Sequence, residues 1–419
     1  MSLPRLLAGV RRDLPLCLSE HEEIHGARHT QSGNLVEAVE RAGLRGRGGA
    51  SFPTAVKMSD VARRRGPRAL LVNAAEGEPM SSKDRVLLQL APHLVLDGAL
   101  AAAGAVGARS IVIAIPGDDA ALRSALRGAL GERSGRRRFS VVEVPPTHLA
   151  GEESALINYL NRGPLKPTVV PPRPSERGIR RRPTLVQNPE TLAHIALIDR
   201  HGPDWFRQLG PAAHPGSALV TLSGAIRNHG VYEIACGLRL GSLLREAGGG
   251  ELEPLRAVLV GGYHGVWIPA DQIREVTLDD VTLAGFGGSL GAGVIVALGQ
   301  SACPVQELAR ALEWLVSESA GQCGPCMNGL PALANLLAEM AAGRAPGDAR
   351  QRLERWSTDL VGRGACRLPD GAVRFLQSGV NVFAAELARH EQRGPCHACA
   401  RLPTLRFTRA GNYAARRAA

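Results

Sequence analysis

Two cysteines with the spacing of metal ligands lie in the segment ESAGQCGPCMNG, residues 318–329. Cys323 and Cys326 are separated by two residues, a spacing found among thiolate ligands of iron–sulfur clusters, since iron bridged by sulfide prefers soft, anionic donors. The same spacing would place another thiolate three residues before Cys323, but Ala320 stands there. The segment is therefore a metal site, a metal site that has lost a ligand, or a turn that contains two thiols.

A glycine-rich loop, RGRGGASFPTAVKM at residues 45–58, has the composition of a phosphate-binding loop. Its closely spaced glycines allow backbone amides to face one concavity without obstruction by Cβ atoms. Lys57 follows a few residues later, where the start of a helix would bring its ammonium group to the same place. The loop and Lys57 together predict a binding site for a phosphate group.

Three further segments place polar side chains where a predicted strand ends or a predicted helix begins. VNAAEGEPMSSKDR ends a buried strand, and AGEESALI and VQNPETLAHI each begin a helix, where the helix dipole tolerates carboxylates. The side chains concerned are Asn73, Glu76, Glu78, Glu152, Glu153, Asn188 and Thr191. Together with the glycine loop, they predict a polar ligand site.

The elements that position these residues are predicted from hydrophobic runs. The runs at 69–75, 110–117 and 139–146 predict buried strands, and the helical patterns between them indicate an α/β domain with a parallel sheet. Ligands of such sheets bind beyond the C-terminal ends of the strands. Residues 216–300 consist of short β-branched runs interrupted by glycine, which indicate a small α+β module. From residue 305 onwards, helical periodicity indicates a helical bundle.

The four polar motifs, in this order and followed by the cysteine motif, resemble the flavoprotein subunit of respiratory complex I and its relatives in NAD-dependent hydrogenases and formate dehydrogenases. That family shows GRGGAGFPTGxKW, NADESEPGTxKDR, GEETALI, NNVETL and SCGxCxPCR. The resemblance covers roughly residues 35–370. It implies an α/β chain with a Rossmann-like FMN-binding domain, a small β-grasp (SLBB-like) domain, and a C-terminal helical bundle with an iron–sulfur motif.

The resemblance and the patterns above also divide the chain into domains. We expect an N-terminal helical segment at 1–40, an FMN- and NAD-binding domain at 41–212, a β-grasp domain at 213–300, a helical iron–sulfur domain at 301–385, and a basic tail with a CxxC motif at 386–419. The last twenty residues are expected to be frayed.

In this family FMN binds at the glycine loop, and a reduced nicotinamide passes a hydride to it. The resemblance implies that the cofactor-binding residues are Gly46, Arg47, Gly48, Gly49, Ala50, Phe52, Lys57, Asn73, Glu76, Glu152, Glu153, Asn188 and Thr191. It implies that Glu78 faces the nicotinamide, and Glu78 and Glu76 are the predicted catalytic residues. The flavin then sends electrons singly to an iron–sulfur cluster.

Several positions depart from the family pattern in the part that grips the dinucleotide. Ala75 and Gly77 replace an acidic residue and a serine, and His148 replaces a tyrosine. In the Pro-rich loop, Arg173 stands where the family has an aromatic residue, and Val170 stands where it has a lysine. The arginine indicates NADPH in place of NADH, contact with an acidic partner, or a solvated basic loop; the changes are also compatible with loss of nicotinamide binding.

The cluster ligands of the family correspond here to Ala320 and to three cysteines, Cys323, Cys326 and Cys366. One interpretation is a [4Fe–4S] cluster whose fourth ligand comes from elsewhere, with Cys303, Cys396 and Cys399 as the candidates. The others are a labile or three-iron cluster, and no cluster at all. For the pair Cys396 and Cys399 the alternatives are completion of this site, zinc binding with His397 or His390, a redox dithiol, or no role.

Composition limits the remaining function classes. The chain has a net charge of +11 and only 4% aromatic residues, and no nucleic-acid motif accompanies the charge. No stretch approaches the roughly 20 apolar residues of a membrane span. We therefore expect a cytoplasmic protein that does not bind nucleic acid and that lies at a membrane only through partner subunits.

The leading functional interpretation is an FMN-dependent NAD(P)H dehydrogenase that passes electrons to an iron–sulfur subunit or a ferredoxin within a larger redox complex. The second is an FMN electron-transfer module that is linked to ferredoxin and does not use NADH. The third is a degenerate, non-catalytic subunit that binds a partner through its basic surface.

Overall fold

The computed structural model describes residues 3–11, 14–28, 34–134, 138–249, 254–408 and 415–416. The N-terminal part contains, in chain order, α1 (Leu18–His25), α2 (Leu35–Ala42), α3 (Thr54–Arg63), β1 (Arg68–Asn73), α4 (Lys83–Leu90), α5 (Pro92–Val106), β2 (Ala108–Pro116), α6 (Ala120–Gly131), β3 (Phe139–Val144), α7 (Glu153–Leu160), α8 (Pro174–Arg177), β4 (Thr184–Gln187) and α9 (Pro189–Phe206). The predicted α/β class with a parallel sheet is confirmed.

The first sheet has the strand order β3-β2-β1-β4, and all its neighbouring strands are parallel. Leu70 and Val72 pack into the core under α5 and α9, whereas Leu71 packs on the other face against α7. Helices thus cover both faces, which explains the uninterrupted apolar run in β1. Because the strands are parallel, the segments that follow β1 and β4 meet at the same edge of the sheet.

The second sheet has six strands. Its elements are β5 (Ser217–Gly224), β6 (Gly230–Ala235), α10 (Leu240–Glu246), β7 (Leu255–Val260), β8 (Val266–Pro269), α11 (Asp280–Gly285), β9 (Val294–Gly299) and, near the end of the chain, β10 (Ala415–Arg416). The strand order is β10-β6-β5-β9-β7-β8. Val258 and Val260 face a core that includes α10, while Leu259 faces the helices that follow. This alternation is what a sheet buried on both faces requires.

The C-terminal helices are α12 (Pro304–Ser317), α13 (Leu330–Ala341), α14 (Ala349–Leu360), α15 (Leu368–Val382) and α16 (Ala384–Arg393), with a π-helical turn at Pro325–Gly329. The bundle packs on the second sheet through α15, where Phe375 contacts Trp267 with ring centroids 5.9 Å apart. The indole and both phenyl rings of the Trp267–Phe375–Phe383 group are almost fully buried.

The segment after α16 is more ordered than the sequence predicts. Leu405 is fully buried, and β10 pairs in parallel with β6. The expectation of a frayed end is therefore wrong for residues 400–408 and 415–416, because this segment contributes to the core of the helical bundle and to the second sheet. The other residues of the predicted frayed tail lie outside the described residues.

The described residues contain no single helix with the length and hydrophobicity of a membrane span. One pair, α4 and α5, satisfies both criteria only when joined across a 96° bend, and most of its side chains are buried inside the protein.

Candidate functional site

The glycine-rich loop is closed on itself and attached to the start of α9. The backbone amide of Gly46 donates to the carbonyl oxygen of Phe52 at 2.8 Å, and that of Arg47 donates to Oγ1 of Thr191 at 2.9 Å. Gly49 has a φ of +108°, a conformation that favours glycine. Between these attachments, Gly48 and the side chain of Phe52 are exposed, so the loop presents backbone and an aromatic ring at the rim of the sheet edge.

Gly48 lies directly against Asn188, the residue that caps α9. A Cβ atom at position 48 would be 3.3 Å from the Cβ atom of Asn188, so the loop approaches the helix start too closely for a larger side chain. The side-chain oxygen of Asn188 accepts from the backbone amide of Glu190 at 2.9 Å. The glycine loop and a helix N-terminus therefore border the same space, an arrangement that suits a phosphate group.

The predicted binding residue Arg47 turns its side chain into the protein. The guanidinium is buried, with Nη1 2.9 Å from Nε2 of His214 and Nη2 3.5 Å from Sγ of Cys236. Its Nε lies 3.9 Å from the carboxylate of Glu190. The side chain of Arg47 thus anchors the loop, and the predicted contact of this residue with a cofactor stays a prediction.

Lys57 and Glu153, both predicted to bind the cofactor, lie together. The Nζ atom of Lys57 on α3 is 2.7 Å from Oε2 of Glu153 at the start of α7, and each side chain is 34% exposed. An ammonium group that is only partly covered remains accessible to a second anion. The chain has just three lysines against 47 arginines, 50 basic residues in all, so a lysine at this place is unusual for its composition.

Beneath the glycine loop lies a buried ionic cluster that the sequence does not reveal. The Nζ atom of Lys83 is 2.8 Å from Oδ1 of Asp84 and 2.9 Å from Oε2 of Glu190. Burial raises the pKa of Asp84 to about 7, although Lys83 opposes this. Burial also acts to raise the pKa of Glu190, but Lys83 and other positive or donating neighbours outweigh it and lower that pKa to about 2. Asn188 donates to Asp84 at 2.5 Å, so this cluster fixes the side chain that borders the loop.

Glu76 has a structural role in this geometry. Its carboxylate accepts from Oγ of Ser81 at 2.5 Å and from the backbone amides of Asp84 and Arg85 at 3.3 and 3.2 Å, which caps the start of α4. Because both oxygens are engaged, its predicted catalytic and flavin-contacting roles stay predictions. Asn73, at the end of β1, donates to the carbonyl oxygen of Gly151 at 2.9 Å.

Glu78 is a second buried carboxyl group at the sheet edge. It is 7% exposed and accepts from the backbone amides of Tyr263 at 2.9 Å and Met80 at 3.4 Å. Burial raises its pKa to about 7, and the two hydrogen bonds oppose this. A carboxyl group with such a pKa gains or loses a proton near neutrality, as a group that handles protons must.

Two departures from the family pattern, Gly77 and His148, are in contact. A Cβ atom at position 77 would be 2.7 Å from the carbonyl oxygen of His148, so no side chain fits there. Nδ1 of His148 lies 3.1 Å from the carbonyl oxygen of Gly77, and its ring makes edge contacts with those of His264 and Trp314. The two changes therefore form one local rearrangement that ties the segment after β1 to the helical bundle.

The predicted cluster ligands Cys323, Cys326 and Cys366 are brought together next to the π-helical turn. Burial and the neighbouring thiols of Cys323 and Cys366 raise the pKa of Cys326 to about 12. Burial also raises the pKa of Cys366, as does the charge of Glu152, so the thiols lie near a predicted flavin-flanking carboxylate. The fourth position holds Ala320, which is buried and supplies no ligand.

The candidate fourth ligands do not join this group. Cys303 precedes the first residue of α12, whereas Cys323 follows its last turn, and a helix of 14 residues is about 21 Å long. Cys303 lies instead with Cys396 and Cys399. The expectation that one of these three completes the first site is therefore wrong, because α12 separates the two groups.

The residues described above fall within segments that match known families. Residues 39–197 match the model described as the Nuo51 FMN-binding domain, and residues 306–390 match the NADH-ubiquinone oxidoreductase-F iron–sulfur binding region. The first segment contains the glycine loop and the start of α9, and the second contains Cys323, Cys326 and Cys366.

Similar proteins cover most of the chain. The NADH-quinone oxidoreductase F subunit numbered 2 in Rhizobium meliloti is 34% identical over 381 residues, 87% of this chain and 90% of that protein. The NADH-quinone oxidoreductase F subunit of Mycobacterium bovis is 30% identical over 87% of this chain and 86% of that protein. The crystal structure of an NAD+-reducing [NiFe]-hydrogenase in the H2-reduced state matches with a TM-score of 0.79 and 31% identity over 86% of this chain, which spans 63% of the hydrogenase chain.

Proposed function

This chain belongs to the family of NADH-quinone oxidoreductase F subunits, and on that basis we propose that it is an FMN flavoprotein that oxidises a reduced nicotinamide dinucleotide and passes the electrons to an iron–sulfur acceptor. The observation that carries the proposal is the loop at 45–53. It presents exposed backbone between Lys57 and the capped start of α9, within the segment that matches an FMN-binding domain.

The residues at the sheet edge suit FMN by their chemistry. The backbone of Gly48 and Gly49, the ammonium group of Lys57 and the N-terminus of α9 would hold the phosphate, because all three supply hydrogen-bond donors or positive charge. Glu153 keeps Lys57 in place at 2.7 Å. When bound, FMN supplies hydride acceptance and the release of single electrons.

Glu78 is proposed to orient the reduced nicotinamide. Its carboxyl group is fixed by the amides of Tyr263 and Met80, and its raised pKa allows it to be neutral or charged near pH 7. The substitution pair Gly77 and His148 lies beside it and reshapes the wall that the dinucleotide would touch. The exposed Arg173 supplies a positive charge that suits the 2′-phosphate of NADPH.

The iron–sulfur site fits its group only in part. Cys323, Cys326 and Cys366 supply three thiolates, and Ala320 leaves one iron of a [4Fe–4S] cluster without a ligand from that position. We propose that a cluster here has a non-protein or partner-supplied fourth ligand, or has three irons. No electron-transfer step of this chain is derived through it.

The acceptor is proposed to be another subunit or a ferredoxin within a larger redox complex. The net charge of +11 favours an acidic electron carrier. The same charge, together with the altered dinucleotide wall, favours the second candidate function, an FMN module that exchanges electrons with ferredoxin and does not use NADH. Attachment to a membrane would then come through partner subunits.

Anaerobic titration of the purified yellow protein with NADH and NADPH tests the proposal. Bleaching of the flavin absorbance by either dinucleotide supports the dehydrogenase, and the more effective of the two identifies the substrate. A flavin that is reduced by ferredoxin but by neither dinucleotide supports the second candidate. Protein that is colourless and fails to bind added FMN would contradict both.

A further inference from the structure

A second group of soft ligands lies apart from the three predicted cluster ligands. It comprises Cys303 before α12, His390 in α16, and the pair Cys396 and Cys399 in the turn that follows α16. We propose that these four side chains bind one zinc ion, which fastens the C-terminal segment to the helical bundle. The proposal does not depend on the flavin chemistry, because the four side chains lie in the helical bundle, away from the glycine loop.

The distances between the ligand atoms are those of a tetrahedral site. A zinc ion with sulfur at about 2.3 Å and nitrogen at about 2.0 Å holds neighbouring sulfurs about 3.8 Å apart, and sulfur and nitrogen about 3.5 Å apart. Here Sγ of Cys399 is 3.7 Å from Sγ of Cys396 and 3.4 Å from Sγ of Cys303. Nε2 of His390 is 3.5 Å from Sγ of Cys303 and 3.9 Å from Sγ of Cys399.

The same distances argue against an iron–sulfur cluster at this place. In such a cluster each thiolate binds a different iron or shares one iron with a single neighbour, so four ligands are spread over several metal–sulfide bonds. All four ligand atoms here lie within 4.8 Å of one another, which leaves room for one ion at their centre. Three thiolates and one imidazole are also a ligand set of structural zinc sites.

The imidazole of His390 is already oriented for a metal. Its Nδ1 atom lies 3.1 Å from the carbonyl oxygen of Ala341, at the end of α13, and donates a hydrogen bond to it. This fixes the tautomer in which Nε2 carries a lone pair and faces the three thiols, the arrangement expected around a metal-binding histidine. His390 and Cys303 are almost fully buried, whereas the paired cysteines are partly accessible and give the ion a path of entry.

The proposed zinc site lies at the start of a segment that we term the C-terminal strap, residues 400–407. The backbone amides of Thr404 and Leu405 donate to the carboxylate of Glu307, at 2.6 and 3.0 Å. The hydroxyl group of Tyr263 donates to the carbonyl oxygen of Arg406 at 2.5 Å, and its ring stacks on that of Phe407. Since the amide of Tyr263 holds Glu78, the strap extends from the metal site to the carboxyl group of the proposed dinucleotide wall.

Metal analysis of the full-length protein, purified without chelators, tests this inference. We expect about one zinc per chain, and a loss of most of it in Cys399→Ala and in His390→Ala. Cys326→Ala serves as a matched control, because it removes a buried thiol on the other side of α12 and should leave the zinc content unchanged. FMN content, measured on the same samples, reports separately on the flavin proposal.

Substitution by Co2+ provides a second measurement that does not require the variants to fold. After removal of zinc from the intact chain, added Co2+ should give the visible bands of a tetrahedral thiolate site, and added Zn2+ should abolish them. Iron in place of zinc, protein without metal that gives no such bands, or a zinc content that is the same in wild type and Cys399→Ala would overturn the proposal.

Discussion

The Nζ atom of Lys57 lies 2.7 Å from Oε2 of Glu153, so a basic residue of the glycine-loop segment is paired with an acid at the start of the α7 helix. Because the pair is partly exposed, its own contribution to stability is small. Its value lies in orientation, since the carboxylate holds the ammonium group at the place where a phosphate would bind. The pair therefore prepares an anion site without closing it.

Lys57→Ala should weaken FMN binding about 10- to 100-fold, because a charge-assisted hydrogen bond contributes about 1.5–3 kcal/mol and Glu153 would be left without its partner. Flavin retained on gel filtration and a fluorescence titration with FMN measure the change. Lys166→Ala, at an exposed lysine of the Pro-rich loop, is the matched control. Equal FMN affinity of the two variants would contradict the phosphate-loop assignment.

Glu78→Gln should change how stability depends on pH. Burial raises the pKa of Glu78 from 4.5 to about 7, so the folded protein holds this proton more tightly than the unfolded chain. The resulting stabilisation is complete below about pH 4.5 and is lost as pH rises through about 7. Glutamine does not titrate, so the stability of the variant relative to wild type should increase by about 2 kcal/mol between pH 5 and pH 8.

Chemical denaturation of wild type and Glu78→Gln at both pH values measures this difference. Other groups that titrate in the same range, including Asp84, are present in both proteins, so their effects cancel in the comparison. A constant difference between the two stabilities at pH 5 and pH 8 would show that Glu78 is ionised throughout.

Ala320→Cys should complete the first cysteine site. A thiolate at this position restores the ligand set implied by the family pattern, and Ala320 is already buried beside the site. We expect about four irons and four sulfides per chain after anaerobic reconstitution, with a lower content or a more labile cluster in wild type. Iron, sulfide and EPR measurements test this, with Ala320→Ser as the control; no gain in iron would indicate that the other three thiols do not form a cluster site.

Glu307→Gln should loosen the C-terminal strap. The carboxylate of Glu307 is buried and accepts from the amides of Thr404 and Leu405, and a glutamine would turn its own N–H group toward one of them. We expect a loss of about 1–3 kcal/mol and faster cleavage by trypsin at Arg401 and Arg406. Limited proteolysis with mass analysis measures this.

Glu313→Gln, at an exposed position of the same helix, is the control for the strap experiment. It should be cleaved at the wild-type rate, because the surface of a helix tolerates this change within about 0.5 kcal/mol. Identical cleavage of all three proteins would contradict the attachment through Glu307.

Much of the first domain can be predicted from the sequence, because its signals are local. The apolar runs of β1 to β3 and the contiguous glycine loop carry their information within a few residues. The strand β4, Thr184–Gln187, is not predictable in this way, since four residues after a Pro- and Arg-rich loop form a strand only by pairing with β1. The capping role of Glu76 escapes prediction for a related reason: its hydrogen bonds depend on how the chain turns into α4.

The arrangement of the cysteines requires the three-dimensional structure. Cys303 and His390 are 87 residues apart in sequence, and their contact depends on the packing of α12, α13 and α16. The sequence indicates each residue as a candidate ligand, but the order of the motifs assigns Cys303 to the wrong group. The signal that the sequence does contain is the histidine six residues before the first cysteine of the CxxC pair.

The C-terminal strap has a practical consequence for choosing where the protein can be shortened. The segment that matches the iron–sulfur family ends at residue 390, and a truncation designed from that boundary would keep the first three thiols and strands β5 to β9. It would also delete Cys396, Cys399 and the contacts of Arg406 and Phe407 with Tyr263. Such a shortened protein would carry a damaged wall next to Glu78, and poor turnover of it would be mistaken for a property of the flavin site.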